Sequence, residues 1–149
     1  MILAIDPGTT QSAYCFYGRK DAITAGIADN DKIISEIIKP MCWDVLAIEM
    51  VASYGMAVGK DVFETVRWIG RFQQSALDPD AVRFVYRKDV KMHLCNSMKA
   101  KDANIRQALI DKIGPQGTKK NPGPTYGISK DMWAALAVAV TYDETRLMR

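Results

Sequence analysis

Short apolar runs alternate along this chain with longer stretches whose apolar residues recur at helical spacing. Five apolar runs, each bounded by turn-forming residues, predict β-strands over residues 2–6, 12–17, 22–28, 45–49 and 82–86. The run at 45–49 has no polar alternation, which is typical of a central strand covered on both faces. Helical spacing predicts a long amphipathic helix over residues 61–76, and further helices over 30–38, 88–94, 101–113 and 129–147.

The order of these elements predicts an α/β fold with a mixed five-stranded sheet flanked by helices. Only residues 18–21 separate the second and third strands, so the first three strands should form an antiparallel meander. Each later strand follows a helix, and such crossovers add parallel strands. Residues 114–127 hold four glycines and three prolines and predict a loop. We expect a single domain over residues 1–149, because no linker is long enough to separate two.

Composition argues against several classes of protein. Hydrophobic residues make up 48% and charged residues 25% of the chain, as in ordinary globular proteins. No apolar run approaches the roughly 18 residues of a spanning helix, and the N-terminus has no signal-peptide pattern. We therefore expect a cytoplasmic protein without a membrane partner. The three cysteines form no CxxC pair, and the single histidine leaves no multi-histidine metal site.

Charge is unevenly distributed. Residues 83–120 contain ten basic and three acidic side chains, a net charge of +7, whereas the rest of the chain carries −4. A basic segment of this kind indicates a polyanionic partner such as nucleic acid. The other interpretation is an ordinary solvated helical face, which composition alone does not exclude.

Three acidic residues lie at the boundaries of strongly apolar elements. Asp6 ends the first strand, Glu49 ends the central strand, and Asp131 opens the last helix. An alanine lies two residues before Asp6 and another lies two residues before Glu49. Because alternate residues of a strand share a face, each acid lies on the same face as its alanine. If the two strands are parallel neighbours, both acids project from one face at one end of the sheet. The small alanines leave room there for the apolar last helix, whose first turn then brings Asp131 towards the other two.

Clustered carboxylates repel one another, so such a cluster usually requires a cation. Oxygen ligands suit Mg²⁺, and Mn²⁺ as a substitute, and two such ions support in-line hydrolysis of a phosphodiester. Nucleic-acid hydrolysis therefore links the acids with the basic segment. Each acid taken alone also has an ordinary interpretation: Asp6 as a turn former before Pro-Gly, Glu49 as a solvated strand end, and Asp131 as a first-turn acid stabilised by the helix dipole.

The motifs around these acids resemble the catalytic blocks of RuvC-type Holliday-junction resolvases. The matching segments are Ile2-Leu-Ala-Ile-Asp-Pro-Gly-Thr9, Leu46-Ala-Ile-Glu-Met50 and Ala135-Leu-Ala-Val-Ala-Val-Thr141, together with the long helix from residue 61 and residues 99–105. The resemblance runs over nearly the whole chain in the expected order, and short phage relatives look most similar. It implies an RNase H-like fold. It also implies a homodimeric, Mg²⁺-dependent endonuclease without a small-molecule cofactor, which nicks opposed strands of four-way or branched DNA in a bacterial cell or phage-infected host.

The resemblance also assigns roles to individual residues. Asp6, Glu49 and Asp131 match the metal ligands of the family, and Lys91 matches a catalytic lysine near the substrate phosphates. A second functional lysine is expected at the position of Asp102, one residue after Lys101. The candidate DNA contacts are Arg87, Lys88, Lys91, Lys101, Lys119, Lys120 and Tyr54.

Besides Asp102, two further positions depart from the family pattern. A further acid is expected one helical turn after Asp131, where this chain has Ala134, so the number of bound ions stays open. An aromatic residue expected a few residues after Glu49 is Ala52 here. Tyr54, two residues later, either takes its place or is an ordinary loop residue.

The long helix carries three aromatic residues, Phe63, Trp68 and Phe72. They predict either a dimer interface or packing against the sheet.

Other functions share the same motifs. The three carboxylates serve equally well in an RNase H-like nuclease that cuts RNA–DNA hybrids or flaps. With Ala134 in place of an acid, the protein is alternatively a junction-binding protein with impaired catalysis. The segment from Asp6 to Thr10 also resembles the phosphate loop of actin-like ATPases, but those enzymes need two related lobes and this chain supplies one.

Overall fold

A single five-stranded mixed sheet forms the centre of the molecule. The computed structural model describes residues 1–19 and 22–146. The strands are β1 (Ile2–Asp6), β2 (Gln11–Tyr17), β3 (Ile23–Asp29), β4 (Val45–Met50) and β5 (Arg83–Tyr86), in the spatial order β3-β2-β1-β4-β5. β1, β2 and β3 form the predicted antiparallel meander, and β4 and β5 are added in parallel, so the predicted α/β fold is confirmed.

In the part of the chain that the structure describes, five helices pack on the sheet or on one another. They are α1 (Asn30–Lys32, continued by a π-helical segment Ile33–Ile38), α2 (Lys60–Ser75), α3 (Arg87–Cys95), α4 (Asp102–Ile113) and α5 (Met132–Arg146), and a 3₁₀ turn covers Pro79–Ala81. The predicted helix over 129–147 begins three residues later than expected, and residue 147 lies outside the described residues. Among the helices that the structure describes, none has both the length and the hydropathy needed to cross a bilayer.

The π-helical segment replaces the regular helix that was predicted over residues 30–38. Ile33 and Ile38, five residues apart, are both fully buried in the same core. A π-helix has about 4.4 residues per turn, so residues separated by five lie close to one face. The wider turn therefore lets both isoleucines reach the sheet, and the indole Nε1–H of Trp43 donates to the Ile38 carbonyl at 3.0 Å just after it.

Helix α5 packs on one face of the sheet, and the alanines of β1 and β4 make room for it. Ala4 and Ala47 are completely buried, and they share a core with the alanines of α5. α5 is apolar on nearly all sides because the sheet covers one side, whereas α3 and α4 cover much of the rest. The expected close approach of the last helix to these two strands is confirmed.

Helix α2 packs on the opposite face. Phe72 is completely buried there with Ile69, and Trp68 is half-buried against the same core. Of the two alternatives predicted for these aromatic residues, packing against the sheet is therefore confirmed for Phe72, because the helix turns this side chain towards the sheet. Phe63, by contrast, leaves 61% of its surface exposed, and Val66 leaves 41%. Of the three aromatic residues, Phe63 stays available to a partner.

Candidate active site

The register of the parallel strands places Asp6 beside Glu49. Ile5 pairs with Ile48 in the β1–β4 ladder, and the two acids are the next residues on each strand. Both therefore lie at the carboxyl edge of adjacent parallel strands, on the face that α5 covers. Their side chains are half-buried and hydrogen-bonded to each other.

This contact strongly perturbs the ionisation of both acids. Burial, together with the negative charges of Glu49 and Asp131, raises the pKa of Asp6 from 3.8 to about 8. Burial also raises the pKa of Glu49. Two carboxyls in contact titrate as a pair, so near neutral pH they share a proton. The proton takes the place that a cation would otherwise fill between two carboxylates.

Asp131 approaches this pair from the start of α5. Its carbonyl accepts from the backbone N–H of Ala134 at 3.0 Å and of Ala135 at 3.2 Å, which fixes the first turn of the helix. The side chain is exposed, and its charge raises the pKa of both Asp6 and Glu49. The three acids predicted from the sequence are therefore brought to one edge of the sheet.

The arrangement is a carboxylate pair with a third charge nearby rather than a finished ion cage. Within residues 1–19 and 22–146, no three Asp, Glu, His or Cys side chains lie close enough to hold one ion between them. The donor set nevertheless fits a hard divalent cation, because Asp6 and Glu49 offer oxygen atoms in contact and share a proton that a cation can displace. Water would have to complete the coordination of such an ion, as it commonly does for Mg²⁺.

Arg87 places a positive charge next to the acidic pair. It is the first residue of α3 and follows β5 directly, and β5 pairs in parallel with β4. Its guanidinium lowers the pKa of Asp6 and of Glu49, against the larger effect of burial, and it forms an ion pair with Asp102 at the start of α4. Lys91 lies one turn after Arg87 on the same face of α3.

An open cavity of about 440 Å³ lies beside Asp131, along the starts of three helices. The residues lining it include Arg87, Asp102, Arg106, Lys130, Asp131 and Ala134. Ala134 thus lies beside Asp131, in the place where the family pattern has an acid. Arg106, Lys130 and Asp102 were not among the site residues predicted from the sequence, although Asp102 was noted there as a departure from the family pattern. The sequence offered two weak signals for these residues: Arg106 and Asp102 lie in the basic segment, and Lys130 directly precedes Asp131.

The other predicted DNA contacts lie on the surface. Lys88 and Lys101 are exposed at the starts of α3 and α4. Lys119 and Lys120 are exposed at the tip of the loop over 114–127, between the bridged residues Gly117 and Pro122. Tyr54 is 62% exposed in the loop after β4. All of these side chains are accessible, and their roles in DNA binding stay predictions.

Comparison with solved structures identifies the fold. The RuvC of Thermus thermophilus in complex with Holliday junction substrate superposes with a TM-score of 0.74 at 14% sequence identity, covering 99% of this chain and 94% of that one. A second structure of Thermus thermophilus RuvC gives a TM-score of 0.68 at 16% identity, covering 99% of this chain and 95% of that one. No family model and no curated protein matches the chain. The chain therefore has the RNase H-like fold of RuvC, as its motifs predicted.

Proposed function

We propose that the chain is a metal-dependent endonuclease that resolves Holliday junctions or other branched DNA by paired nicking. The observation that carries this proposal is the Asp6–Glu49 pair at the carboxyl edge of a sheet with the RuvC fold. A buried carboxylate pair is costly for a fold, and it is typical of a site that gains a cation. Asp131 adds a third negative charge at the same place.

Mg²⁺ is the proposed cofactor, with Mn²⁺ as a substitute. When bound, such ions lower the pKa of a water nucleophile and neutralise the charge that develops on the phosphate. Asp6 and Glu49 would supply ligand oxygens from the strand ends, and Asp131, just before α5, would contribute a third carboxylate through bound water. The positions of Asp6 and Glu49 on neighbouring strands of a packed core hold this pair in place before substrate arrives.

The substrate side of the site is basic. Arg87 and Arg106 line the same cavity as Asp131, and Lys130 lies next to it. Lys91, on the face of α3 that carries Arg87, is proposed to contact the phosphate near the cut. Lys88, Lys101, Lys119 and Lys120 are proposed to bind the DNA backbone farther out, where contacts are insensitive to sequence and weaken with salt. Tyr54 is proposed to contact the bases near the crossover.

A homodimer is proposed because paired nicks need two sites related by a two-fold axis. Phe63 and Val66 lie three residues apart on α2, so they share a face, and both are exposed. A second copy of the chain packing on this face would bury them. Asp61 and Arg67 lie on the same helix and give this interface a polar border.

One observation favours a second candidate, a junction-binding protein with weak catalysis. Ala134 faces the cavity beside Asp131, and no third ligand completes the carboxylate pair among the described residues. A protein with this arrangement would bind branched DNA through its basic side chains and hold an ion weakly.

The deciding experiment is cleavage of a labelled immobile four-way junction in Mg²⁺ and in Mn²⁺. Linear duplex, flap and RNA–DNA hybrid substrates are the controls, and Asp6→Asn is the inactive reference. We expect symmetric paired nicks on the junction. Binding without nicks in either metal would favour the second candidate, and cutting of hybrids or flaps instead of the junction would contradict the proposed substrate.

A further inference from the structure

The ion pair between Arg87 and Asp102 joins the starts of two helices at the edge of the candidate site. Arg87 begins α3 immediately after β5, and Asp102 is the first residue of α4. The Asp102 side chain is 89% exposed, whereas that of Arg87 is 33% exposed. The Arg87 side chain is therefore about two-thirds buried, and its guanidinium pairs with an acid that lies almost entirely in solvent.

Stability does not explain this ion pair. An exposed ion pair contributes little to stability, and an acid at the start of a helix gains a similarly small amount from the helix dipole. Many other residues would serve equally well at the start of α4. Asp102 also has a disadvantage, because an exposed negative charge repels a phosphate backbone from the face that is otherwise basic.

The position of Arg87 between two sets of carboxylates indicates what Asp102 does. Arg87 directly follows Tyr86, which pairs with Met50 at the end of β4, so Arg87 begins beside the end of the strand that carries Glu49. A charged side chain at this position can reach the acidic pair. Without an outer partner, a flexible arginine would swing into those carboxylates and compete with a cation for their oxygens. With Asp102 as its partner, it is held at the rim of the cavity that both residues line.

An arginine held in this way still has donors to offer. The guanidinium carries five N–H groups in a planar fork, and a contact with one carboxylate leaves others unused. Phosphate oxygens are well matched to that geometry. A fixed arginine beside a reacting phosphodiester stabilises the charge that grows on the phosphate, because no reorganisation is needed at the moment of reaction.

We propose that Asp102 is a positioning residue that holds Arg87 at the rim of the acidic pair, so that Arg87 binds the phosphodiester being cut and Asp6 and Glu49 stay free for a cation. This inference rests on the proposed nuclease function and deepens it. It assigns to an exposed acid a role that acts through its neighbour. It also predicts opposite effects on DNA binding and on cleavage, which a purely structural role for Asp102 would not produce.

The test compares Asp102→Asn with the wild-type protein in two assays. Binding to a labelled four-way junction is measured in Ca²⁺, and nicking is measured under single-turnover conditions in Mg²⁺. We expect Asp102→Asn to bind the junction as tightly as the wild type or up to about threefold more tightly, because a repelling charge is lost. We expect its nicking rate to fall about tenfold, because Arg87 loses its orientation.

Four further variants separate positioning from other effects. Arg87→Ala should nick about a hundredfold more slowly, and the double variant Arg87→Ala/Asp102→Asn should be no slower than Arg87→Ala alone, since Asp102 acts through Arg87. Asp102→Glu should recover most of the rate, because it keeps the charge. Asp111→Asn is the matched control, because Asp111 is exposed on the same helix as Asp102 and its side chain accepts a hydrogen bond from Gln107 at 2.8 Å. This variant should nick the junction at the wild-type rate.

Each outcome decides between the alternatives. The inference would be overturned if Asp102→Asn nicked the junction at the wild-type rate. It would also be overturned if Asp102→Asn lowered the nicking rate by the same factor in the Arg87→Ala background as in the wild type. Neither result would contradict the nuclease function. If the wild-type protein nicks no branched substrate in either metal, the proposed function fails and this inference fails with it. Thermal melting of every variant guards against misfolding, and we expect Asp102→Asn and Asp111→Asn to melt within a few degrees of the wild type.

Discussion

Replacing Asp6 with asparagine should stabilise the protein in the absence of divalent ions. Asparagine has nearly the same shape, and its amide can donate to Glu49, so the contact is kept while the charge is removed. Burial raises the pKa of Asp6 from 3.8 to about 8, which means that the fold opposes ionisation of this group. The same change should abolish nicking, because a proposed ligand is lost.

The size of this effect follows from the raised pKa. Each pKa unit corresponds to about 1.36 kcal/mol, and roughly three units separate the unfolded value from pH 7, so the upper limit at pH 7 is about 4 kcal/mol. Coupling to Glu49 and relaxation around the charge reduce it, and we expect a gain of about 1–2 kcal/mol. Because the folded pKa is the higher one, the wild-type protein loses stability relative to the variant as the pH rises from about 4 to about 8.

Chemical denaturation in EDTA at pH 5, 7 and 8.5 measures this difference. The gain in the free energy of unfolding for Asp6→Asn should be small at pH 5 and largest at pH 8.5. Added Mg²⁺ should stabilise the wild-type protein and leave the variant unchanged, since a ligand stabilises only the state that binds it. The control is Asp80→Asn, an exposed acid before the amino end of β5, for which the difference should stay below about 0.5 kcal/mol at every pH. A gain that is the same at pH 5 and at pH 8.5, or a variant less stable than the wild type at pH 8.5, would refute the reasoning.

Four other predictions follow from packing and charge. Phe72→Ala should lower the free energy of unfolding in urea by about 3–5 kcal/mol, because the ring is fully buried. Phe63→Glu should leave the fold intact and convert the proposed dimer to monomers in sedimentation, and an unchanged dimer would exclude this face of α2 as the dimer interface. Glu144→Gln should cost about 1 kcal/mol above pH 5, because hydrogen bonds from His93 and Lys112 outweigh burial and lower the pKa of Glu144. The stability that Glu144 contributes is present above its usual pKa and disappears as the pH falls below it, so a cost that persists at pH 3 would contradict this origin. Ala134→Asp should lower the Mg²⁺ concentration for half-maximal nicking about tenfold by adding an oxygen ligand, and a Mg²⁺ titration that is unchanged would show that this position does not reach the ion.

The sequence predicted the strands, their connections and the meeting of Asp6 with Glu49, because all of these depend on local patterns. Alternation places each acid on the same face as the alanine before it, and parallel pairing then brings the two together. The partner of Arg87 was not predictable in this way. Arg87 and Asp102 lie fifteen residues apart on different helices, and no periodicity relates two helix starts. The burial of Phe72 was equally hidden, since an aromatic stripe on an amphipathic helix faces either the sheet or a partner.

The amino ends of three helices give a physical reason why this edge of the sheet tolerates the acids and would also attract a polyanion. α3 begins at Arg87, α4 begins at Asp102, and α5 begins just after Asp131, and all three residues line one cavity. The amino end of each helix carries about half a positive charge, with free N–H groups that attract anions. Three such ends offset part of the repulsion among the carboxylates, and they add to the attraction that Arg87 and Arg106 exert on a phosphate. The same backbone geometry therefore makes a carboxylate pair tolerable without a cation, and in the proposed nuclease it would draw the phosphodiester towards that pair.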